Sequence, residues 1–305
     1  MKTWPVLLAL ALVLGAPVLR AEAELIVGLT GTNELLTFDS ATPGTTTALT
    51  PITGLLGTLV GIDMRPVDGQ LVGVGNVGGV GTVYSINLTT GVATSINTGF
   101  ALIGSGFGID FDPVANALRI VSLSEQNLRI LSGGTGAVVV DTPLNPGDHG
   151  VLGAAYSNNF AGALSTTLYD IDNQGPVDGL VLQTQGSPGG SPVSPDSGTL
   201  FPVGPLGIIT GDPSVNPIGF DISGLTGTAY ASGPAGLFTI NLGTGAATLV
   251  GAIGPGTFQV RDIAAFQVGP AVTVPEPGSI TLLGLGIAGL LGYRSRRRKL
   301  AERGA

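Results

Sequence analysis

Three aspartates recur in matching surroundings. Asp63 lies in "LVGIDMRPVDGQLVGVG" (59–75), Asp110 in "GFGIDFDPVANALRIVS" (106–122) and Asp221 in "PIGFDISGLTGTAYASG" (217–233). Carboxylates brought together support two kinds of chemistry. A pair can divide acid and base roles in glycoside hydrolysis, and a cluster can supply oxygens to a hard cation such as calcium. Recurrence in a repeat points instead to structure, with each aspartate serving the same hydrogen bond to the neighbouring blade or turn. On that reading no metal or other cofactor is required. Asp63, Asp110 and Asp221 nevertheless remain the candidate calcium ligands.

Other groups offer less. His149, the single histidine, stands beside Asp148 in "NPGDHGVLG" and has no second histidine or cysteine to join it. A base or ligand role is possible in principle for an imidazole, but Asp-His in a Gly/Pro-rich loop is ordinary turn chemistry. "YDIDNQGPVDG" (169–179) places Asp170, Asp172 and Asn173 before Gly175, as in a calcium loop, but Val181 stands where a bidentate glutamate is needed. No GxSxG elbow is present, and "GVGNVGGVG" (73–81) lacks the lysine of a phosphate loop. No catalytic residue is assigned.

The elements that position these residues are repeated. The phrase around Asp63 returns more loosely as "VLGAAYSNNFAGALSTT" (151–167), with Ala155 in place of the aspartate. Gly61, Gly108, Gly153 and Gly219 mark the four copies. Each is followed by a second phrase: "VYSINLTTGVATSI" (83–96), "NLRILSGGTGAVVV" (127–140), "LYDIDNQGPVDGLVL" (168–182) and "LFTINLGTGAATLV" (237–250). Each phrase reads as strand, Gly-containing turn, strand. One repeat is then about four strands in roughly 45 residues, the content of a propeller blade.

The two ends of the repeat region complete a fifth unit. Residues 25–49 supply a second, third and fourth strand without a first, and "FQVRDIAAFQV" (258–268) supplies a first strand alone. The predicted fold is all-β: a five-bladed propeller of four-stranded blades over residues 24–270, closed by strands from both termini. In this alignment Ala265 takes the place of the recurring aspartate. A β-sandwich and an open β-solenoid are the alternative all-β readings. The stretch "GSPGGSPVSPDSG" (186–198) lengthens the third repeat and reads as an exposed loop.

Composition agrees with this. There are 51 glycines, 21 prolines and no cysteine in 305 residues, so disulfides and thiolate metal sites are excluded. Between residues 24 and 277 stand eighteen Asp or Glu, four arginines and no lysine, a net of −14. Nucleic acid needs clustered cations, so it is excluded as a partner.

The termini read as addresses. Lys2 and the apolar run Val6 to Leu14 form a signal peptide over 1–23, with Ala21 and Ala23 setting cleavage before Glu24 by signal peptidase. Residues 271–305 hold Pro275-Glu276-Pro277, an uncharged run from Gly278 to Tyr293, and the cluster Arg294, Arg296, Arg297, Arg298 and Lys299. The run would reach about 24 Å as a helix. That makes a marginal transmembrane span, with the basic cluster stopping it on the cytoplasmic side.

That tail resembles the PEP-CTERM sorting signal. The resemblance implies processing by an exosortase-type membrane protease, transient membrane insertion through the C-terminal helix, and delivery to the surface or matrix of a Gram-negative bacterium. It also implies association with extracellular polysaccharide. The "GIDFDP…ALRIV" and "YSINLTTGVAT" phrases resemble the family known as domain of unknown function 4394, which implies a repeat-built extracellular domain. The expected role is a non-enzymatic binding or scaffold module. The alternative is a propeller hydrolase of the lactonase or glycosidase kind using the channel carboxylates.

Overall fold

The computed structural model describes residues 23–146, 150–173, 179–208, 218–256 and 259–266. They form five four-stranded antiparallel sheets. Blade one runs through Thr58–Met64, Leu71–Val77, Val80–Ile86 and Ala93–Ala101. Blade two is Phe107–Asp112, Ala117–Ser122, Asn127–Ile130 and Val138–Val140. Blade three is Val151–Tyr156, Leu168–Asn173, Leu180–Gln185 and Leu200–Pro205. Blade four is Gly219–Ile222, Ala229–Gly233, Gly236–Ile240 and Ala247–Gly251. Blade five takes its inner strand, Val260–Ala265, from the far end of the chain and pairs it with Leu25–Thr30, followed by Glu34–Asp39 and Thr50–Pro51. Each inner strand packs against the next, and Val260–Ala265 meets both Gly219–Ile222 and Thr58–Met64, so the ring closes.

Burial follows position in the blade. Inner strands are covered on both faces by adjacent blades, and all of Val151–Tyr156 is buried. Outer strands keep solvent contact, as in Ala247–Gly251. The near-identical "NLTTG" and "NLGTG" phrases make the same turn. Asn87 Oδ1 accepts the Thr89 and Thr90 amides, and Asn241 Oδ1 accepts those of Gly243 and Thr244. Gly91 and Gly245 close these turns at φ of 70° and 79°, a region that glycine enters without penalty.

Among the described residues the core divides into five apolar clusters, one at each blade interface. The cluster between blades two and three is small. It contains Val121, Leu144, Val151, Ala154, Tyr156, Leu168 and Leu200. A buried polar network shares that interface. Arg119, 1% exposed, donates to Tyr156 Oη, Asn127 Oδ1, Asp141 and Asp196.

The 186–198 insertion differs from its expected form as a free loop. It folds back on blade two: Asp196 pairs with Arg119 and Arg129, the Thr142 amide donates to the Asp196 carbonyl, and Asn127 donates to the Pro195 carbonyl. Polar backbone in a Pro/Gly-rich segment needs partners, and here the neighbouring blade supplies them.

Candidate functional site: the inner-strand carboxylates

The marker glycines place the site. A Cβ on Gly108 would lie 2.5 Å from the Ala154 amide nitrogen, and one on Gly219 would lie 2.6 Å from Asp262 Cα. Glycine is therefore what lets one inner strand approach the next. Two residues after each glycine, on the same face of the strand, come Asp63, Asp110, Ala155 and Asp221.

Three of these are carboxylates, and the structure brings them together. One oxygen from each of Asp63, Asp110 and Asp221 lies within 4.8 Å of the other two. All three side chains are almost wholly buried, at 1–2% exposed. Of the two expected partners, neighbouring blade or turn, the blade supplies the repeated bond in each case. Asp63 accepts the Phe111 amide at 2.8 Å, Asp110 accepts that of Tyr156 at 3.2 Å, and Asp221 accepts that of Ala265 at 2.5 Å. An aspartate of one blade thus caps the amide just after the equivalent position in the next.

This rule corrects the alignment of blade five. The residue before Ala265 is Ala264, so Ala264 and not Ala265 is the counterpart of Asp63, Asp110 and Asp221. The marker-glycine position of blade five is then Asp262. Its carboxylate lies over Gly61, where a Cβ would come within 2.7 Å of Asp262 Oδ2, and it accepts the Ile62 amide at 2.8 Å. Sequence reasoning missed Asp262. Aligning "GID", "GID", "GAA", "GFD" and "DIA" on their first residue, rather than on apolar length, reveals it.

The alanines shape the rest of the network. Ala155 and Ala264 cannot cap the amides of the blades that follow them, so Asp221 Oδ1 accepts its own Ile222 amide and Asp63 Oδ1 its own Met64 amide, both at 2.6 Å. In blade two the Phe111 amide is already taken by Asp63. Asp110 Oδ1 is consequently left with no partner.

Electrostatics follow from burial and like charge. Desolvation, then the nearby Asp221 carboxylate, drive Asp63 well above the ordinary carboxylate range. Desolvation, then Asp63 and Asp221, do the same to Asp110. Desolvation pushes Asp221 up to about 6, opposed by the Ala265 and Ile222 amides. Asp262 is also raised, chiefly by desolvation.

The other sequence candidates fall elsewhere. Asp170 and Asp172 lie within Leu168–Asn173 and are fully buried, so they belong to a strand and not to an exposed calcium loop. Ala23 is exposed. Ala21, Asp148, His149, Pro275, Glu276, Pro277 and the cluster Arg294 to Lys299 lie outside the described residues.

A second feature lies where the inner strands of blades one and five begin. An open depression of about 410 Å3 is lined by Thr58, Asn76, Ser105, the Gly78-Gly79 turn and Arg261. Arg65, Arg119 and Arg129 are ion-paired, whereas Arg261 makes no ion pair among the described residues. Its Nε is buried without a hydrogen-bond partner, and desolvation lowers its pKa.

Residues 34–264 match the family model described as Domain of unknown function (DUF4394). The chain belongs to that family. Residues 273–298 match the PEP-CTERM protein-sorting motif. This DUF4394 protein is therefore exported as a membrane-anchored precursor and sorted to the cell surface by an exosortase-type enzyme. No curated protein matches it in sequence.

Solved structures resemble it remotely. A functionally unknown protein from Desulfotomaculum acetoxidans is 15% identical, with a TM-score of 0.39 over 74% of this chain and 65% of the other. The DUF4394 protein thus spans about 65% of that relative's length. A chain of the nidogen/laminin complex is 11% identical at a TM-score of 0.45, covering 80% of this chain and 98% of its own. A protein from Lactobacillus plantarum is 16% identical at 0.37, covering 76% and 82%.

Proposed function

We propose that this surface-sorted propeller is a non-enzymatic binding module for an anionic extracellular polysaccharide. The observation that supports it most is Arg261. In a segment with four arginines and no lysine, it is the one arginine without an ion pair among the described residues, and it lines an open depression. A guanidinium there can fork onto a sugar carboxylate. Thr58, Asn76 and Ser105 add hydroxyl and amide groups, and the Gly78-Gly79 turn offers backbone. With a net charge of −14 over residues 24–277, the chain draws an anionic polymer only to a site that presents a cation, which favours selectivity over general adhesion. The acid-base candidates support a non-enzymatic role. Asp63, Asp110 and Asp221 are buried and hold one blade to the next, whereas a general acid must reach the scissile bond. Signal peptidase and the exosortase are its partners during export only.

The test is co-sedimentation and calorimetry of the exported protein with polygalacturonate, and with dextran as the neutral control. Binding to polygalacturonate that weakens at least tenfold in Arg261→Gln supports the reading. Equal binding to dextran, no binding to either, or turnover of lactone or aryl-glycoside substrates overturns it.

A further inference from the structure

We propose that Asp63, Asp110 and Asp221 together hold one divalent cation of the calcium class where the inner strands converge. This goes beyond the surface-binding reading and does not depend on it.

The argument begins with a balance of donors and acceptors. Five inner-strand amides face this level of the ring: those of Met64, Phe111, Tyr156, Ile222 and Ala265. Three aspartates present six oxygens. Five oxygens take one amide each, and Asp110 Oδ1 remains, buried and without a partner. A purely structural set of interblade caps would not need it.

Asn159 is a second, separate sign. It is 1% exposed and its Oδ1 has no partner, while its Nδ2 stands 3.5 Å from Asp221 Oδ1, at the outer limit of a hydrogen bond. A buried amide that reaches the cluster and leaves its carbonyl oxygen unmatched is costly in water-free surroundings. Turned over, it presents that oxygen to the same centre, an exchange of O and N that leaves its shape unchanged.

Charge and distance identify the ligand. Three carboxylates so close cannot all ionise unless a cation joins them. Oxygens on opposite sides of a calcium ion, each about 2.3–2.6 Å away, are up to about 5 Å apart. A magnesium ion at about 2.0–2.1 Å requires a tighter set. Oxygens no more than 4.8 Å apart fall within the span of a calcium coordination shell. The backbone bonds do not prevent ligation, because each carboxylate oxygen keeps a second acceptor site.

The competing occupant is a shared proton, and the two differ in sign under mutation. The exported protein is unfolded in guanidinium with chelator, refolded with or without calcium, desalted, and assayed for bound metal and melting temperature. One calcium retained per chain, with a higher melting temperature, is expected. Asp110→Asn should lose the metal and the calcium response, and Asn159→Ala should weaken calcium at least several-fold. Absence of bound metal in the refolded protein overturns the proposal, as does calcium retained at full stoichiometry in Asp110→Asn. So does an Asp110→Asn protein that melts higher than the parent in calcium, the result expected of carboxylates sharing protons. Luminescence of terbium bound to the unmutated protein, and its displacement by calcium, provides the same decision without any variant.

Discussion

Arg119 Nη2 and Asp196 Oδ1 meet at 2.8 Å across 77 residues of chain, joining the second strand of blade two to the insertion of blade three. Arg119 also donates to Asp141, Asn127 and Tyr156, and it is 1% exposed where the Asp196 side chain is 38% exposed. The two ends of this pair are therefore unequal. Replacing Arg119 by Met takes the donor from the Tyr156 hydroxyl, while Asp141 keeps Arg129 and Asn127 Oδ1 keeps Gln185, so the loss falls toward the lower end of the about 3–5 kcal/mol typical of a broken buried ion pair. Replacing Asp196 by Asn removes a solvent-screened charge and costs about 1 kcal/mol or less. Equilibrium denaturation of both variants checks the ranking; similar losses would mean that the insertion, rather than the arginine, anchors this interface.

The marker glycines predict a second contrast. Gly108→Ala forces a methyl group against backbone atoms of the next blade at 2.5–2.7 Å. Backbone cannot rotate aside as a side chain can, so the inner strands must separate. A loss of at least about 1–3 kcal/mol is expected from overpacking alone. Gly44→Ala is the control, since its nearest neighbour lies at an ordinary 3.9 Å. Comparable melting temperatures for the two would remove the close-approach explanation of the repeat.

The repeat was legible because blade packing imposes the same local demands several times over. Glycine at the point of closest approach, an aspartate two residues later and Asn-rich turns are all local choices, so they recur as text. What could not be read is what breaks the pattern. Asp262 stands where a glycine is expected, and only the bond from Ala265 to Asp221 fixes the register that shows it. The docking of 186–198 depends on Arg119 and Asn127, far away in sequence, while its composition speaks only of turns. Asp110 Oδ1 was hidden for a similar reason. Its lack of a partner depends on what Asp63 does one blade earlier.

Closure through the termini carries its own expectation. Val260–Ala265 pairs with Leu25–Thr30 and packs against the inner strands on both sides. A stop codon after residue 256 removes that strand, opens the ring and exposes the edge of blade five. Loss of a cooperative unfolding transition, with aggregation, is expected. A stop after residue 270 keeps the strand and should preserve the transition. If calorimetry finds the same transition in both, the closing strand is dispensable.

Asp170 provides a pH dependence away from the carboxylate cluster. It is fully buried in blade three, and neither carboxylate oxygen has a hydrogen-bond partner. Desolvation drives its pKa well above the ordinary value; Arg119 opposes this and Asp172 adds to it. The folded protein therefore keeps this proton to a higher pH than the unfolded chain, whose aspartate titrates near 3.9. Below that value both states are protonated and the contribution of Asp170 to stability is whole. As pH rises toward the folded pKa the unfolded state gives up its proton first, and stability falls by about 1.4 kcal/mol per unit from this group. Asp170→Asn mimics the protonated form and cannot ionise. Its unfolding free energy should approach the parent's at pH 4 and exceed it increasingly toward pH 8, by more than about 1 kcal/mol for a buried charge without a partner. Two curves that run parallel over that range would show that Asp170 has the same proton affinity in both states, and that Arg119 fully offsets its burial.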